Sequence, residues 1–443
     1  MVKPAQGPVS VLGRGFRLGK LGLSVTGSYL GYQAQNLFLS EEAGRGQRRR
    51  FEQTASRRLR QELELLKGPA MKLGQILSMH TQMLPESAVR ELASLQMHAP
   101  PMHPTLARAQ FKAVCGKFPE EVFRRFEADP FAAASLGQVH RAVTRRGETV
   151  AVKLQYPAIR TAIENDFKLL RSVTLPGRLT GYVPVSLLDE VRRGFLEETD
   201  YLREARNLEF FRQGLSGYPW LAIPRVYWEH TTERLLTMSF IEGSGLADFL
   251  AAKPSQAVRD LVGGRLFELF HFQLQRLGSL HADHHPGNFL FTPDGGVGLV
   301  DFGCVKRVTI DAAGICRACI RRAWRQDRDQ AQHVCRQIFG PRPSFSQTRP
   351  MLASLEELAN ILFPEAAGAG TRVDFGDPRL LAALGRSLRS ALRHKLANPE
   401  FAFVSRTELG LYSLLHELGA RVDTRAVCER VAQLPDQRVR NQG

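Results

Sequence analysis

The chain has 443 residues, 43% hydrophobic and 23% charged, a composition that excludes a disordered polymer and allows two core-forming units or one two-lobed domain with extensions. A formal net charge of +16 calls for an acidic partner, whether nucleic acid, an anionic membrane surface or a phosphorylated ligand. Six scattered cysteines are too few for a disulfide framework and point to a reducing compartment.

The first forty residues carry Lys3, Arg14, Arg17 and Lys20 and no acid. Within them, residues 21–40 are uncharged, with Gly27 and Gly31 at GxxxG spacing. That length would span a bilayer, but Gln33, Gln35 and Asn36 spoil the apolar core. Seven arginines follow between Arg45 and Arg60, against the single acid Glu52. Basic flanks on both sides favour a segment lying at an anionic surface; the plainer reading is a Gly-rich helical arm with a solvated basic face, and a mitochondrial presequence stays open. No other run of 18 apolar residues occurs, so no further span is expected. Nucleic acid is not the expected partner, because no aromatic-interleaved basic motif, zinc-finger spacing or RNP-like strand is present.

Residues 51–98 pattern as helix, broken at Gly68-Pro69, where Pro69 suits the first turn of AMKLGQILSMHTQML. The connector HAPPMHP (98–104) closes this region. SLGQVHRAVTRRGETVAVKLQ then predicts two strands around a turn at Arg146-Gly147. Helix returns over 157–215, interrupted near Pro176-Gly177 and Pro184. IPRVYWEHTTERLLTMSFIEG predicts a second hairpin turning at Thr231-Thr232, and a helix over 255–280 leads into HADHHPGNFLFTPDGGVGLVDFG. The rest is mostly helical, including ICRACIRRAW, whose Cys316 and Cys319 read as structural because no second CxxC accompanies them.

The stretch from His281 to Gly303 carries the chemistry. Asp283 and Asn288 sit five apart on a tight loop, and a strand–turn–strand through Thr292–Gly296 returns Asp301 beside Asn288. Two hard oxygen ligands with open positions for phosphate oxygens suit magnesium, and Asp283 at the mouth would accept or orient a proton. This is the order of protein-kinase-like phosphoryl transfer. A zinc site on His281, His284 and His285 is the weaker alternative, since adjacent side chains point apart. A kinase-like site also needs a strand lysine and a helix acid. VAVK supplies Lys153, and FLEETDYLREARNLEFF places Glu197, Asp200 and Glu204 at helical spacing on one face. Where a glycine-rich phosphate loop is usual, this chain has Ala132, Ala133, Ala134 and Ser135, whose Cβ atoms imply a different nucleotide pose. Backbone between Met238 and Gly243, including Phe240 and Glu242, is the expected adenine contact.

Taken in order, MKLGQILS, FAAASLGQVHRA, VAVKLQYP, EETDYLREARN, HADHHPGN and VDFG resemble the UbiB family of atypical protein-kinase-like proteins, over roughly residues 60–310. The resemblance implies an α+β, protein-kinase-like two-lobed fold with an N-terminal helical extension and a mostly helical C-lobe. It implies that Lys72 and Gln75 of the KxGQ motif fold over the active site and that Glu198 and Asp200 form its partner ExD motif. By the same resemblance Glu204 pairs with Lys153, and Asp283, Asn288 and Asp301 are the catalytic-loop and DFG residues. ATP (or ADP) and Mg2+ are the implied ligands, with ATPase-like chemistry supporting ubiquinone biosynthesis. Phosphoryl transfer to protein is doubtful because KxGQ obstructs that site.

Two departures stand out: His284 replaces a proline of the usual HADPHPGN, which would loosen the loop or add a donor near phosphate, and the two C-terminal spans of many bacterial members are not visible. The expected organisation is a membrane-associating segment (1–44), a helical extension (45–128), a kinase-like N-lobe with a helical insertion (129–243) and a C-lobe with C-terminal helices (244–443). Expected partners are anionic membrane lipid and isoprenoid quinone precursors or their biosynthetic enzymes, with peripheral attachment at the cytoplasmic face of a bacterial inner membrane preferred to the mitochondrial matrix; a homodimer stays open. A nucleotide-binding pseudokinase scaffold and a small-molecule phosphotransferase are the competing readings.

Overall fold

A computed structural model of the chain describes residues 101–134, 136–174, 185–325, 328–339, 345–364, 371–380, 383 and 399–437. Lys72, Gln75, Ser135 and the basic N-terminal segment fall outside them. Two compact units are present, one reaching Arg203 and including Val226–Ser239, the other made of Glu204–Arg225 and the chain from Phe240 onward.

The first unit opens with α1 (Pro104–Cys115), whose boundaries are local chemistry. Pro104 occupies the first turn, the His103 side chain accepts the Thr105 N–H, and Gly116 closes the helix at φ 78°. A short α2 (Pro119–Val122) leads into β1 (Arg125–Phe126), β2 (Ala132–Ala134), β3 (Gly137–Val143) and β4 (Thr149–Gln155). The predicted first hairpin forms between β3 and β4, with Gly147 at φ +89° in its turn. Two helices follow, α3 (Ile159–Thr174) and α4 (Val185–Glu198); α5 (Tyr201–Gly214) and β5 (Leu221–Ala222) then precede β6 (Leu235–Ser239). The sheet is antiparallel in the order β1–β3–β4–β6, and β2 pairs β3 further along. Period-2 alternation sends Val150, Val152 and Leu154 of β4 into a core with Phe111 of α1, Phe123 and Leu235. Lys153 lies on the opposite face from these residues.

Two sequence expectations need correction here. Of the second hairpin only β6 is a regular strand. The other arm touches it at Val226–Met238 and then winds into a 3-10 turn, Trp228–His230. Thr231 Oγ1 donates to Tyr227 O and accepts from Thr237 N, and Thr237 Oγ1 donates to His230 O, so hydroxyls replace the ladder. The acids 197, 200 and 204 do not share one continuous helix either, because the chain breaks between α4 and α5. Thr199 Oγ1 donates to Leu196 O, and Asp200 Oδ1 accepts the Arg203 N–H at 3.0 Å, capping the start of α5. Exposed Glu197 pairs with Arg203 at 2.8 Å.

In the second unit β5 runs parallel to β9 (Val297–Leu299), which pairs antiparallel with β8 (Phe289–Phe291). A short α6 (Leu246–Ala251) precedes α7 (Gln256–Phe272), capped by the Ser255 side chain. The helix expected to reach 280 stops earlier: Gln273–Leu277 is a π-turn, Gly278 takes φ 64°, and β7 (Ser279–His281) pairs with β10 (Val305–Arg307). Left-handed Gly278 ends the helix and frees the next residues to form a buried strand. Beyond β10 come α8 (Ala312–Arg321), α9 (Arg328–Phe339), α10 (Phe345–Leu362), β11 (Val373–Asp374), α11 (Pro399–Leu418), β12 (Arg421–Val422) and α12 (Thr424–Gln433). Buried Arg322 donates to the carbonyls of Cys319, Ala359 and Phe363, tying α8 to the end of α10. Among the described residues no helix is long and apolar enough to cross a membrane.

Candidate active site

The catalytic-loop residues are assembled by hydrogen bonds within the second unit. The turn after β8, with Gly295 at φ +86°, returns β9 so that Val300 N donates to Asn288 O at 3.1 Å. Asn288 Nδ2 donates to Asp283 O at 3.1 Å, which leaves the amide oxygen as the atom Asn288 presents to a ligand. Asp283 Oδ1 accepts the His285 N–H, and Asp301 Oδ1 accepts the Gly303 N–H at 2.9 Å. Asp283, Asn288 and Asp301 are thus held on two strand ends and one loop, each half-buried. Carboxylate and amide oxygens are the hard donors that a magnesium ion carrying phosphate takes.

A second layer, which the sequence reading passed over, fixes this loop from behind. His281 Nε2–H donates to Asp301 O at 2.6 Å, and His281 N donates to Gln273 Oε1 at 2.8 Å. The π-turn brings Gln273 to that point, and such turns are frequent at functional sites. Phe302 is fully buried against Phe211 and His281, and Asn207 Nδ2 on α5 donates to its carbonyl at 3.0 Å. Glu204, 2% exposed, receives the Phe302 N–H at a long 3.5 Å. The available signal was the polar interruption of an apolar run: Gln273 and Gln275 in HFQLQRL, and His281 ending SLH, are buried residues with fixed partners.

The three histidines diverge. His285 is exposed and caps Gly287 N through Nδ1. His284 stacks on Phe289 at 5.9 Å and meets Phe270 edge-on at 5.7 Å, with Nδ1 buried. Burial beside His281 pushes its pKa down to about 3.

In the first unit, Lys153 sits on β4 opposite Val139 and Leu236, 5% exposed, with Nζ 5.1 Å over the Tyr201 ring. A lysine so buried is no surface strand lysine; its ammonium needs counter-charge and hydrogen bonds. Ala132, Ala133 and Ala134 form β2, folded back on Gly137–Val139 as an exposed flap edge. Gly137 is there because nothing larger fits: a Cβ would sit 2.3 Å from Leu154 O and 2.9 Å from the Tyr201 hydroxyl. Met238 is buried on β6 opposite Ala151; Phe240 and Glu242 follow in irregular chain of the second unit, half-buried and exposed. Glu198 closes α4 and Asp200 caps α5.

Comparison with known proteins bears on the family and the fold. A family model for the ABC1 atypical kinase-like domain matches residues 94–335. The chain is 35% identical over 246 residues to the probable protein kinase UbiB of Pseudomonas aeruginosa, covering 54% of this chain and 46% of that one. It is 32% identical over 267 residues to the chloroplastic protein Activity of bc1 complex kinase 7 of Arabidopsis thaliana, covering 59% and 38%. The matched segments thus span less than half the length of these relatives. A solved structure, the Rv3197–erythromycin complex from Mycobacterium tuberculosis, superimposes with a TM-score of 0.59 at 26% identity, covering 84% of this chain and 94% of that one. With the family model covering more than half of the chain, and the catalytic-loop and DFG segments inside the matched region, this protein belongs to the UbiB/ABC1 family of atypical kinase-like proteins.

Proposed function

We propose that the protein binds Mg-nucleotide and hydrolyses or transfers its γ-phosphoryl group in support of isoprenoid quinone biosynthesis at a membrane surface. The observation that carries the reading is the hydrogen-bonded set Asp283–Asn288–Val300 with Asp301 clasped by His281, which presents oxygen ligands on a rigid frame. Asn288 and Asp301 would hold the metal, which supplies charge neutralisation between the terminal phosphates. Asp283 orients the attacking hydroxyl or water and accepts its proton. By the family resemblance Lys153 would hold the nucleotide phosphates with Glu204 as its counter-charge, and the alanine-rich flap and Ser135, the last outside the described residues, would cover them. Backbone around Met238, Phe240 and Glu242 receives the adenine. By the family resemblance Lys72 and Gln75, which lie outside the described residues, would with Glu198 and Asp200 close the site to protein substrates, which favours hydrolysis or a small acceptor.

The test is ATP hydrolysis with magnesium, with and without cardiolipin-containing vesicles, for the parent protein and Asp301→Asn. Turnover that rises with vesicles and falls roughly a hundredfold or more in the variant, the scale of losing one electrostatic stabiliser, is the expected result. Equal MgATP binding and turnover by the variant would remove Asp301 from the metal. Tight nucleotide binding without turnover in either condition would make the protein a nucleotide-dependent scaffold.

A further inference from the structure

Away from the phosphoryl-transfer residues, three helices of the second unit bring sulfur and imidazole donors together. His271 is the penultimate residue of α7, Cys316 and Cys319 lie one turn apart on α8, and Cys428 is on α12. A ring nitrogen of His271 and the Sγ atoms of Cys316 and Cys428 all lie within 4.8 Å of one another. His271, Cys319 and Cys428 are buried, whereas Cys316 is half-buried and opens a path from solvent. The Cys316 and Cys428 thiols interact directly, whereas Cys319 is not among the donors within 4.8 Å of one another.

The imidazole is set up for ligation. Its Nδ1 faces the Gln275 amide at 3.3 Å, while its Nε2 is buried with no hydrogen-bond partner; Gln275 Oε1 is likewise buried and unpartnered. An amide and its half-turn flip have the same shape. With the Gln275 oxygen turned to Nδ1, that nitrogen carries the proton and donates it, and the lone pair falls on Nε2. Metal-bound histidines use this arrangement, the remote N–H anchored to an oxygen that fixes tautomer and ring orientation.

We propose that His271, Cys316 and Cys428 bind a zinc ion. The donor set is sulfur and nitrogen, which selects a borderline-soft transition ion over magnesium or calcium. Zinc–sulfur bonds of about 2.3 Å and zinc–nitrogen bonds of about 2.0 Å put tetrahedral ligands roughly 3.5–3.8 Å apart. Side-chain rotations that draw the three donors together by about 1 Å close the site on that geometry. With ligands from three helices, the site is a cross-link between them. It pins α7 to α8 and α12 just before α7 passes through Gln273–Leu277 into β7 and the Asp283 loop. The proposal rests on none of the nucleotide-site residues.

The experiment uses the full chain, purified reduced, analysed for metal by mass spectrometry, then stripped with chelator and titrated with Co2+. Expected are one zinc per chain and, on titration, an equimolar endpoint with thiolate-to-cobalt charge transfer and the d–d bands of a tetrahedral ion. Cys316→Ala, at a partly exposed position, and Cys428→Ser should each lose the stoichiometric metal and the tetrahedral spectrum. Cys335→Ala, a buried cysteine outside the cluster, should keep both and controls for general loss of folding. No thiolate band at equimolar Co2+ in a folded, reduced protein would overturn the proposal. So would a Cys316–Cys428 disulfide in the purified chain, or an unchanged spectrum in the Cys316 and Cys428 variants.

Discussion

His284 shows how one side chain departs from what its neighbours in sequence suggest. Placed between Asp283 and His285, it reads as a loop or phosphate residue, yet it is stacked on Phe289 and buried at Nδ1 without a partner. Burial lowers its pKa from 6.5 to about 3. The unfolded chain therefore takes up a proton below about pH 6.5 that the folded chain refuses, and this contribution to stability is lost as pH falls towards 3. Glu408 acts in the opposite sense. Burial lifts its carboxyl from 4.5 to about 7, so its contribution is present at low pH and is lost as pH rises through 7. Between pH 4.5 and 6.5 the two oppose one another, and only a comparison of variants separates them. His284→Phe keeps the aromatic stack and removes the histidine term. Relative to the parent, the variant should gain at most about 2 kcal/mol of unfolding free energy on going from pH 6.5 to 5, measured by denaturant titration. A parallel pair of pH profiles would mean that His284 titrates normally.

Among the elements, those with local instructions were legible before any fold was known. The turn at Arg146-Gly147, the strand through Lys153 and the strand–turn–strand from Phe289 to Leu299 each carry their own periodicity and turn chemistry. What failed were long periodic segments interrupted by hydroxyl and carboxylate side chains. Thr199-Asp200 splits a helix, and Thr231 with Thr237 dissolves one arm of a hairpin, because these side chains bond their own backbone at short range. Gly137 illustrates the converse, a residue whose need appears only when strands pair. Its Cα lies against Leu154 O and the Tyr201 hydroxyl, leaving no room for a methyl group. Gly137→Ala should lower unfolding free energy by about 1–3 kcal/mol or prevent folding, through displacement of β3 from β4. An unfolding midpoint equal to the parent's would show that the strands separate there without cost.

For the whole molecule, charge and sequence order say different things from contacts. The acid-free first forty residues and the arginines from Arg45 to Arg60 lie outside the described residues, and their role rests on charge. Removing residues 1–50 should weaken binding to anionic vesicles, the more so at low salt, with neutral vesicles little affected. Unchanged flotation with anionic vesicles would end the membrane assignment for that arm. The grouping of Asp283, Asn288 and Asp301 was readable in one dimension because they fall within twenty residues on a single hairpin, whose geometry their spacing already constrains. The layer behind them was not, because Asn207, Gln273 and His281 reach the DFG segment from an earlier helix, a π-turn and a strand. Nor was the sulfur–imidazole cluster: Cys316 looks unaccompanied in sequence, and its partners stand 45 residues earlier and 112 later, at His271 and Cys428. Local backbone chemistry and short-range spacing are written in consecutive residues. Convergence of side chains from separate helices depends on how those helices pack, and only the folded chain decides it.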